Sequence, residues 1–328
     1  MTKVQACDNL FLVLFVNHLM MIRFLSAAFA LLSTFSVFNV AAQDTLDHAL
    51  LWRIDAPGAP APSYLFGTIH LIDAEDFLIS DSLMAAVNRS ERLVFEIDPA
   101  EMTDMGMQMQ LMMGAFMKGD TTLKDLLTDE EYGQVKDRFA EIGLPMMFLD
   151  RVKPMFLSML TGMDLGDMKG MMGGGGDDAE GGGIKSYEIE LAAIAEKTEK
   201  EVDGLESSAY QMSLFDSIPL NKQADMLMAS LEETPEGEED PLKALTKIYT
   251  SGDIDGMYNM SVGEEGGLGS FEKLLLVNRN KNWIEPIKKQ VALRPTVFAV
   301  GAGHLGGPEG VVRLLRAEGL TLTPLSRR

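Results

Sequence analysis

Two short segments of the chain share a spacing that suits metal chemistry: Gly67-Thr68-Ile69-His70 and Gly301-Ala302-Gly303-His304. Beyond the first 42 residues the only histidines are His48, His70 and His304, and two of these three follow an apolar run through the same Gly-x-x step. Glycine adopts backbone angles that other residues resist, so each turn can aim an imidazole back over the end of its run. Neutral imidazole binds zinc, manganese, cobalt or iron, and carboxylates complete such sites. Glu96 interrupts the apolar run Arg92–Ile97, and Glu206 closes Glu201–Leu205. Two imidazoles and one or two carboxylates leave positions for water, which a divalent ion acidifies, and a free glutamate alongside can take its proton. Each residue also has a purely structural reading. A histidine after a strand can be a hydrogen-bonded loop residue. A carboxylate inside an apolar strand needs a partner, and Arg279 or Arg92 is available. Glu206 could cap the helix that follows it.

The elements that must position these residues alternate between strand and helix. Ser63–Phe66, Arg92–Ile97, Glu201–Leu205, Thr296–Val300 and Leu320–Pro324 read as strands. Residues 80–90 read as a helix capped by Ser80 or Asp81, and Thr128–Ile142 as a helix opened by the capping box Thr128/Glu131. Further helices are expected over Leu149–Leu160, Ser186–Lys200, 210–231, 241–250, Phe271–Val291 (interrupted near Pro286) and Gly310–Glu318. The alternation implies an α/β fold with a mostly parallel central sheet. The two strand–Gly-x-x-His–helix units form a weak internal repeat. Ligands in such sheets bind beyond the C-terminal strand ends, where His70, His304, Glu96 and Glu206 would all lie. Residues about 100–183 read as a helical insertion. Met102, Met105, Met109, Met112 and Met113 recur in it at helical spacing, as expected for a core stripe or an adaptable apolar groove, with Cu(I) binding as the lesser alternative. Glycines 173–176 and 181–183 bracket Asp177-Asp178 as a flexible linker. Glu232–Asp240 reads as an acidic loop.

Composition excludes several functions. The chain has 328 residues, is 46% hydrophobic and carries a formal charge of −21, which disfavours nucleic-acid binding. The single cysteine, Cys7, leaves no disulfide, thiol nucleophile or thiolate ligand beyond the N-terminal segment. That segment reads as an export signal: Arg23, the apolar run 24–38 and the small residues Val40-Ala41-Ala42. Cleavage after Ala42 would leave a single domain of residues 43–328 in the periplasm or secreted. The run is shorter than the ~20 residues of a membrane span, and an uncleaved anchor is the competing reading. The extra length before it suggests a true start at Met20 or Met21. The glycine-rich stretch lacks the ending of a phosphate loop, and no Gly-x-Ser-x-Gly elbow is present.

The set of motifs resembles the TraB/GumN family, which includes PrgY and the animal TIKI proteases. Gly67-Thr68-Ile69-His70, Phe95-Glu96-Ile97 and Gly301-Ala302-Gly303-His304 carry the resemblance, joined by Lys153-Pro154, Gly204-Leu205-Glu206, Gln211 and Arg279-Asn280. Gly183-Ile184-Lys185 departs from the family's Gly-Ile-Asp. The resemblance implies a fold related to erythromycin esterases and ChaN-like proteins. It implies metal-dependent peptide hydrolysis, with His70, His304, Glu96 and Glu206 as ligands and Glu96, Glu206 and Arg279 as catalytic residues. In that reading Arg279 holds a substrate carboxylate or the oxyanion. The alternative expectation is a periplasmic protein that sequesters a peptide, haem or metal without turnover. A third is a structural role in the envelope.

Overall fold

A computed structural model describes residues 46–161, 183–232, 241–263 and 271–326, all within the second of two compact units, Thr45–Arg328. The export signal, most of the glycine-rich linker and most of the acidic loop lie outside the described residues. No helix among the described residues is long and apolar enough to cross a membrane.

Six strands form the central sheet: β1 (Leu51–Asp55), β2 (Ser63–Thr68), β4 (Arg92–Ile97), β6 (Glu201–Glu206), β7 (Thr296–Gly301) and β8 (Thr321–Leu325). Their order is β6-β4-β7-β2-β1-β8. The first four are mutually parallel, and β1 and β8 close the sheet antiparallel. A short ribbon, β3 (Ile72–Asp73) with β5 (Ile184–Lys185), stands apart. β2 is buried along its whole length and β7 over all but its last residue, as expected for parallel strands covered on both faces. The main core runs through Trp52, Leu65, Phe95, Phe298, Trp283 and Ile287, where each large side chain contributes about 1.5–3 kcal/mol on burial.

Helix α1 (Asp81–Arg89) is capped by Ser80, whose side chain accepts from the Leu83 N–H. Beyond β4 the chain builds α2 (Pro99–Thr103), α3 (Met105–Gly114), α4 (Asp129–Glu141), α5 (Met146–Leu149) and α6 (Pro154–Ser158). The Thr128/Glu131 capping box opens α4. The expected helix over Leu149–Leu160 is broken in two, because Pro154 disfavours helical backbone at Lys153. The segment has its own small core, with Leu123, Val135, Phe139 and Leu157 fully buried. The methionines of α3 do not contribute to it. Met105 and Met113 are 81% and 67% exposed, because α3 lies on the outside and buries none of its residues.

Helix α7 (Tyr187–Lys197) leads into β6, followed by α8 (Ser208–Asp216) and α9 (Leu220–Ala229). The helix expected over 210–231 thus divides at Pro219, for the same reason as at Pro154. Next come α10 (Pro241–Ser251) and α11 (Ile254–Val262), then a π-helical turn (Lys273–Val277) running into α12 (Asn278–Leu293). Pro286 does not interrupt α12: the carbonyl it releases is that of Asn282, on the exposed side. Helix α13 (Val311–Ala317) precedes β8.

Asp255 on α11 ties down the loop after His304. It accepts from Gly307 N (2.8 Å) and from both Nη atoms of Arg313 (2.8 and 3.0 Å). The hydrogen bonds from Arg313 hold its carboxyl below the ordinary 3.8. A depressed carboxyl stabilises the fold above its unfolded pKa, about 4, and loses that contribution as the pH falls through the folded value. Asp255→Asn is therefore expected to cost about 2 kcal/mol at pH 7. The gap from wild type should shrink between pH 4 and 2. Urea unfolding at both pH values checks this, and a gap independent of pH would contradict it.

Candidate functional site

The parallel register sets the site. β2 pairs with β7 so that Thr68 lies opposite Gly301, and the two Gly-x-x-His turns leave neighbouring strands side by side. Glu96 comes from β4, on the other side of β7, and Glu206 from the end of β6, opposite Ile97. The glycines supply room rather than unusual backbone angles, since neither Gly67 nor Gly301 has a positive φ. A Cβ on Gly301 would sit 3.3 Å from Glu96 Oε1 and 3.6 Å from His304 Cδ2, and one on Gly67 would sit 3.2 Å from the Ala302 backbone. The buried Tyr249 hydroxyl donates to Gly67 O at 3.0 Å and fixes the first turn from α10.

Arg279 on α12 occupies the centre. Its Nε donates to Glu206 Oε1 at 2.8 Å, and Nη1 donates to Leu275 O and to His304 Nε2, each at 3.0 Å. Nη2 binds Glu96 Oε2 and lies 2.6 Å from Glu206 Oε1. All three guanidinium nitrogens thus face internal acceptors, through four hydrogen bonds and the 2.6 Å ion-pair contact with Glu206. Arg92, the other partner considered for Glu96, pairs instead with Glu201 and Asp203. Gln211 Nε2 bridges Glu96 and Glu206 at 3.2 and 3.1 Å, and Trp283 Nε1 donates to Glu206 Oε2 at 3.1 Å. Glu206 therefore has both oxygens engaged. It does not cap α8, a role that belongs to Ser207.

His304 is buried. Its Nδ1 meets Asn280 Oδ1 at 2.6 Å, its Nε2 lies 3.7 Å from Glu96 Oε1, and its ring stacks near Trp283. Burial pushes its pKa down to about 3. Burial alone would raise the Glu96 carboxyl, but His304, Arg279, His70 and the Gly301 N–H, 2.8 Å from Oε1, bring it to about 2. At neutral pH Glu96 is an anion and His304 a neutral imidazole. With Nδ1–H donated to Asn280, the Nε2 lone pair faces Glu96 and Arg279.

His70 lies at the surface, its side chain 73% exposed. Nδ1 meets Glu188 Oε1 at 3.1 Å. That hydrogen bond outweighs the opposing effect of the surrounding protein and, with the charges of Glu188 and Glu96, raises His70 to about 9. The electrostatic coupling of His70 to Glu96, Arg279 and His304 brings all five residues singled out from the sequence into one neighbourhood. Lys185, where the Gly-Ile-Asp pattern is lost, pairs with Glu190 at 2.7 Å, while the carboxylate beside His70 comes from Glu188.

Glu188, Trp283 and Tyr249 were not singled out from the sequence. Trp283 could have been, because it follows Arg279 by one helical turn and shares its face. The others carry no such signal. His48 is exposed and lies near Asp253, away from these contacts. Among the described residues, the one set of three or more acidic or histidine side chains whose ligand atoms all lie within 4.8 Å of one another is Asp73, Glu75 and Asp76, all exposed.

The model of the TraB/PrgY/gumN family matches residues 50–324. The chain belongs to this family. A protein from Amphimedon queenslandica named Metalloprotease TIKI homolog is 23% identical over 331 residues, covering 85% of this chain and 62% of its own length. The chain thus spans about three fifths of that relative. No solved structure matches the chain.

Removing one member of a buried ion pair leaves an uncompensated charge and costs about 3–5 kcal/mol. Arg279→Met is therefore expected to lower the unfolding free energy by about 4 kcal/mol. Adding Glu206→Gln, which removes one of the stranded charges, should recover part of the loss. Denaturant unfolding of the two variants tests this; equal midpoints for wild type and Arg279→Met would show that the arginine does not hold the site.

Proposed function

We propose that this chain is a metal-dependent hydrolase acting on peptides in the cell envelope, with His304, Glu96 and His70 holding a divalent transition metal. The observation that carries the reading is the pairing of His304 and Glu96. A neutral imidazole, its Nδ1 committed to Asn280, holds Nε2 3.7 Å from an ionised carboxylate, and the 3.0 Å hydrogen bond that Nε2 accepts from Arg279 Nη1 is the contact a bound ion would replace. The pair lies at the C-terminal edge of a parallel sheet, where such folds bind their ligands. The donor set suits manganese, cobalt, zinc or iron. Formal charge agrees: Glu96 and Glu206 face the single guanidinium of Arg279, and one negative charge is left uncompensated in a buried place, which a cation relieves. Family membership and the metalloprotease name of the Amphimedon relative point the same way. The apolar run at 24–38 supports the envelope location.

A divalent ion there would supply Lewis-acid activation of water and of a peptide carbonyl. The chain's own residues do the rest. Arg279 keeps Glu96 ionised and fixes the separation of Glu96 and Glu206. Gln211 and Trp283 hold Glu206 against Arg279. Asn280 fixes the ring of His304. His70, 73% exposed, is the residue a substrate meets first.

The engagement of every Arg279 guanidinium nitrogen favours a second reading, in which the protein binds a peptide, haem or metal without turnover. Elemental analysis of the purified protein, with His304→Ala and His70→Ala variants beside it, separates the readings. The hydrolase reading expects about one equivalent of transition metal in wild type. It also expects chelator-sensitive cleavage in a peptide library, with activity lowered at least ~100-fold in each variant. Stoichiometric ligand uptake with no product would establish the binding protein instead. Absence of metal after reconstitution with manganese, cobalt and zinc would sink the metal site.

A further inference from the structure

The two histidines are held in the same way by different groups. Asn280 Oδ1 takes Nδ1 of His304 at 2.6 Å, and Glu188 Oε1 takes Nδ1 of His70 at 3.1 Å. Glu188 sits in the first turn of α7, against the exposed His70 and the end of β2. Three polar groups converge on its carboxylate. Thr68 Oγ1 donates to Oε1 at 2.7 Å, Ser186 Oγ donates to Oε2 at 2.9 Å, and His70 is the third. Thr68 is buried and belongs to the same Gly-x-x-His turn as His70. One carboxylate therefore fixes both the backbone that launches the histidine and the ring itself. An ion pair that only stapled α7 to this turn would need the imidazole alone.

We infer that Glu188 is a positioning residue of the site: by holding Nδ1–H of His70 it fixes the tautomer and leaves Nε2 as the ligand atom. Metal-binding histidines commonly donate their second ring N–H to a carboxylate or a carbonyl, which orients the ring and strengthens the ligand. His304 has the amide form of this arrangement and His70 the carboxylate form. What Nε2 binds rests on the metal reading above; the orientation of the ring does not.

Two measurements test the assignment. Long-range 15N–1H spectra of the metal-free protein at pH 10 report the tautomer of neutral His70. Wild type should show Nδ1–H, and Glu188→Ala should shift the ring toward Nε2–H. The same tautomer in both, or Nε2–H already in wild type, would overturn the assignment. The second measurement is a Co2+ titration followed by its visible absorption. Glu188→Ala should weaken binding by about 10–100-fold, whereas Glu188→Gln, whose amide oxygen can still accept Nδ1–H as Asn280 does for His304, should keep most of it. Unchanged affinity in Glu188→Ala would count against the role. Should Glu188→Ala fail to fold, Glu188→Leu, which has no acceptor, takes its place: a loss of Co2+ affinity that Glu188→Gln does not share supports the assignment, and unchanged affinity overturns it. Wild type that binds no Co2+ would defeat the metal reading alone, and the tautomer would still decide the role of Glu188.

Discussion

The guanidinium of Arg279, enclosed by Glu96, Glu206 and His304, is the contact on which the site depends. Moving charges out of water costs several kcal/mol per ion, and the attraction between them repays it only when the geometry leaves no donor or acceptor unmet. Here every guanidinium nitrogen has an acceptor, and Gln211, Trp283 and the Gly301 N–H complete the carboxylates. The four charged and titratable groups come from β4, β6, α12 and the turn after β7, residues separated by more than two hundred positions along the chain. A buried arginine that satisfies all of them holds those elements in one arrangement, because displacement of any one strands a charge.

The sheet makes that arrangement possible. Parallel neighbours deliver their C-terminal ends to the same edge, so residues late in β4, β6 and β7 converge without long loops. The approach is close enough that side chains would obstruct it: Gly301 leaves space for the Glu96 carboxylate and Gly67 for the Ala302 backbone. The antiparallel edge formed by β1 and β8 has a different task. It completes the sheet around β2, and the helix that leads into β8 is anchored through Arg313 to Asp255. The two Gly-x-x-His units thus diverge after their helices, the first running on into a parallel strand at the sheet centre and the second into the antiparallel edge.

What the sequence made legible follows from how local each signal is. The strands carrying Glu96, Glu206 and His304 show as apolar runs with abrupt ends, and the caps at Ser80 and Thr128 as short side-chain patterns. His70, His304, Glu96, Glu206 and Arg279 stand out by type and spacing, and the structure gathers all five. What stayed hidden depends on tertiary contact. Glu188 looks like any acidic residue in the first turn of a helix, where the helix dipole favours it anyway. Tyr249 and the strand β1 carry no pattern of their own. The helical spacing of the α3 methionines is real, but spacing says only that they share a face, and that face is exposed. The partners of Arg279, visible only in the structure, are Glu96, Glu206, His304 and the Leu275 carbonyl.

The two histidines, alike in sequence, end in opposite electrostatic situations. Burial, with the charge of Arg279 beside it, disfavours a proton on His304, and it is neutral well into acid. His70 is open to solvent and rests on a carboxylate that favours one. A symmetric pair would give two equivalent imidazoles. The asymmetry places a fixed, neutral imidazole beside a permanent anion in the interior. It places a basic imidazole within reach of solvent. It arises because α12 supplies Asn280 to one turn, whereas α7 supplies Glu188 to the other.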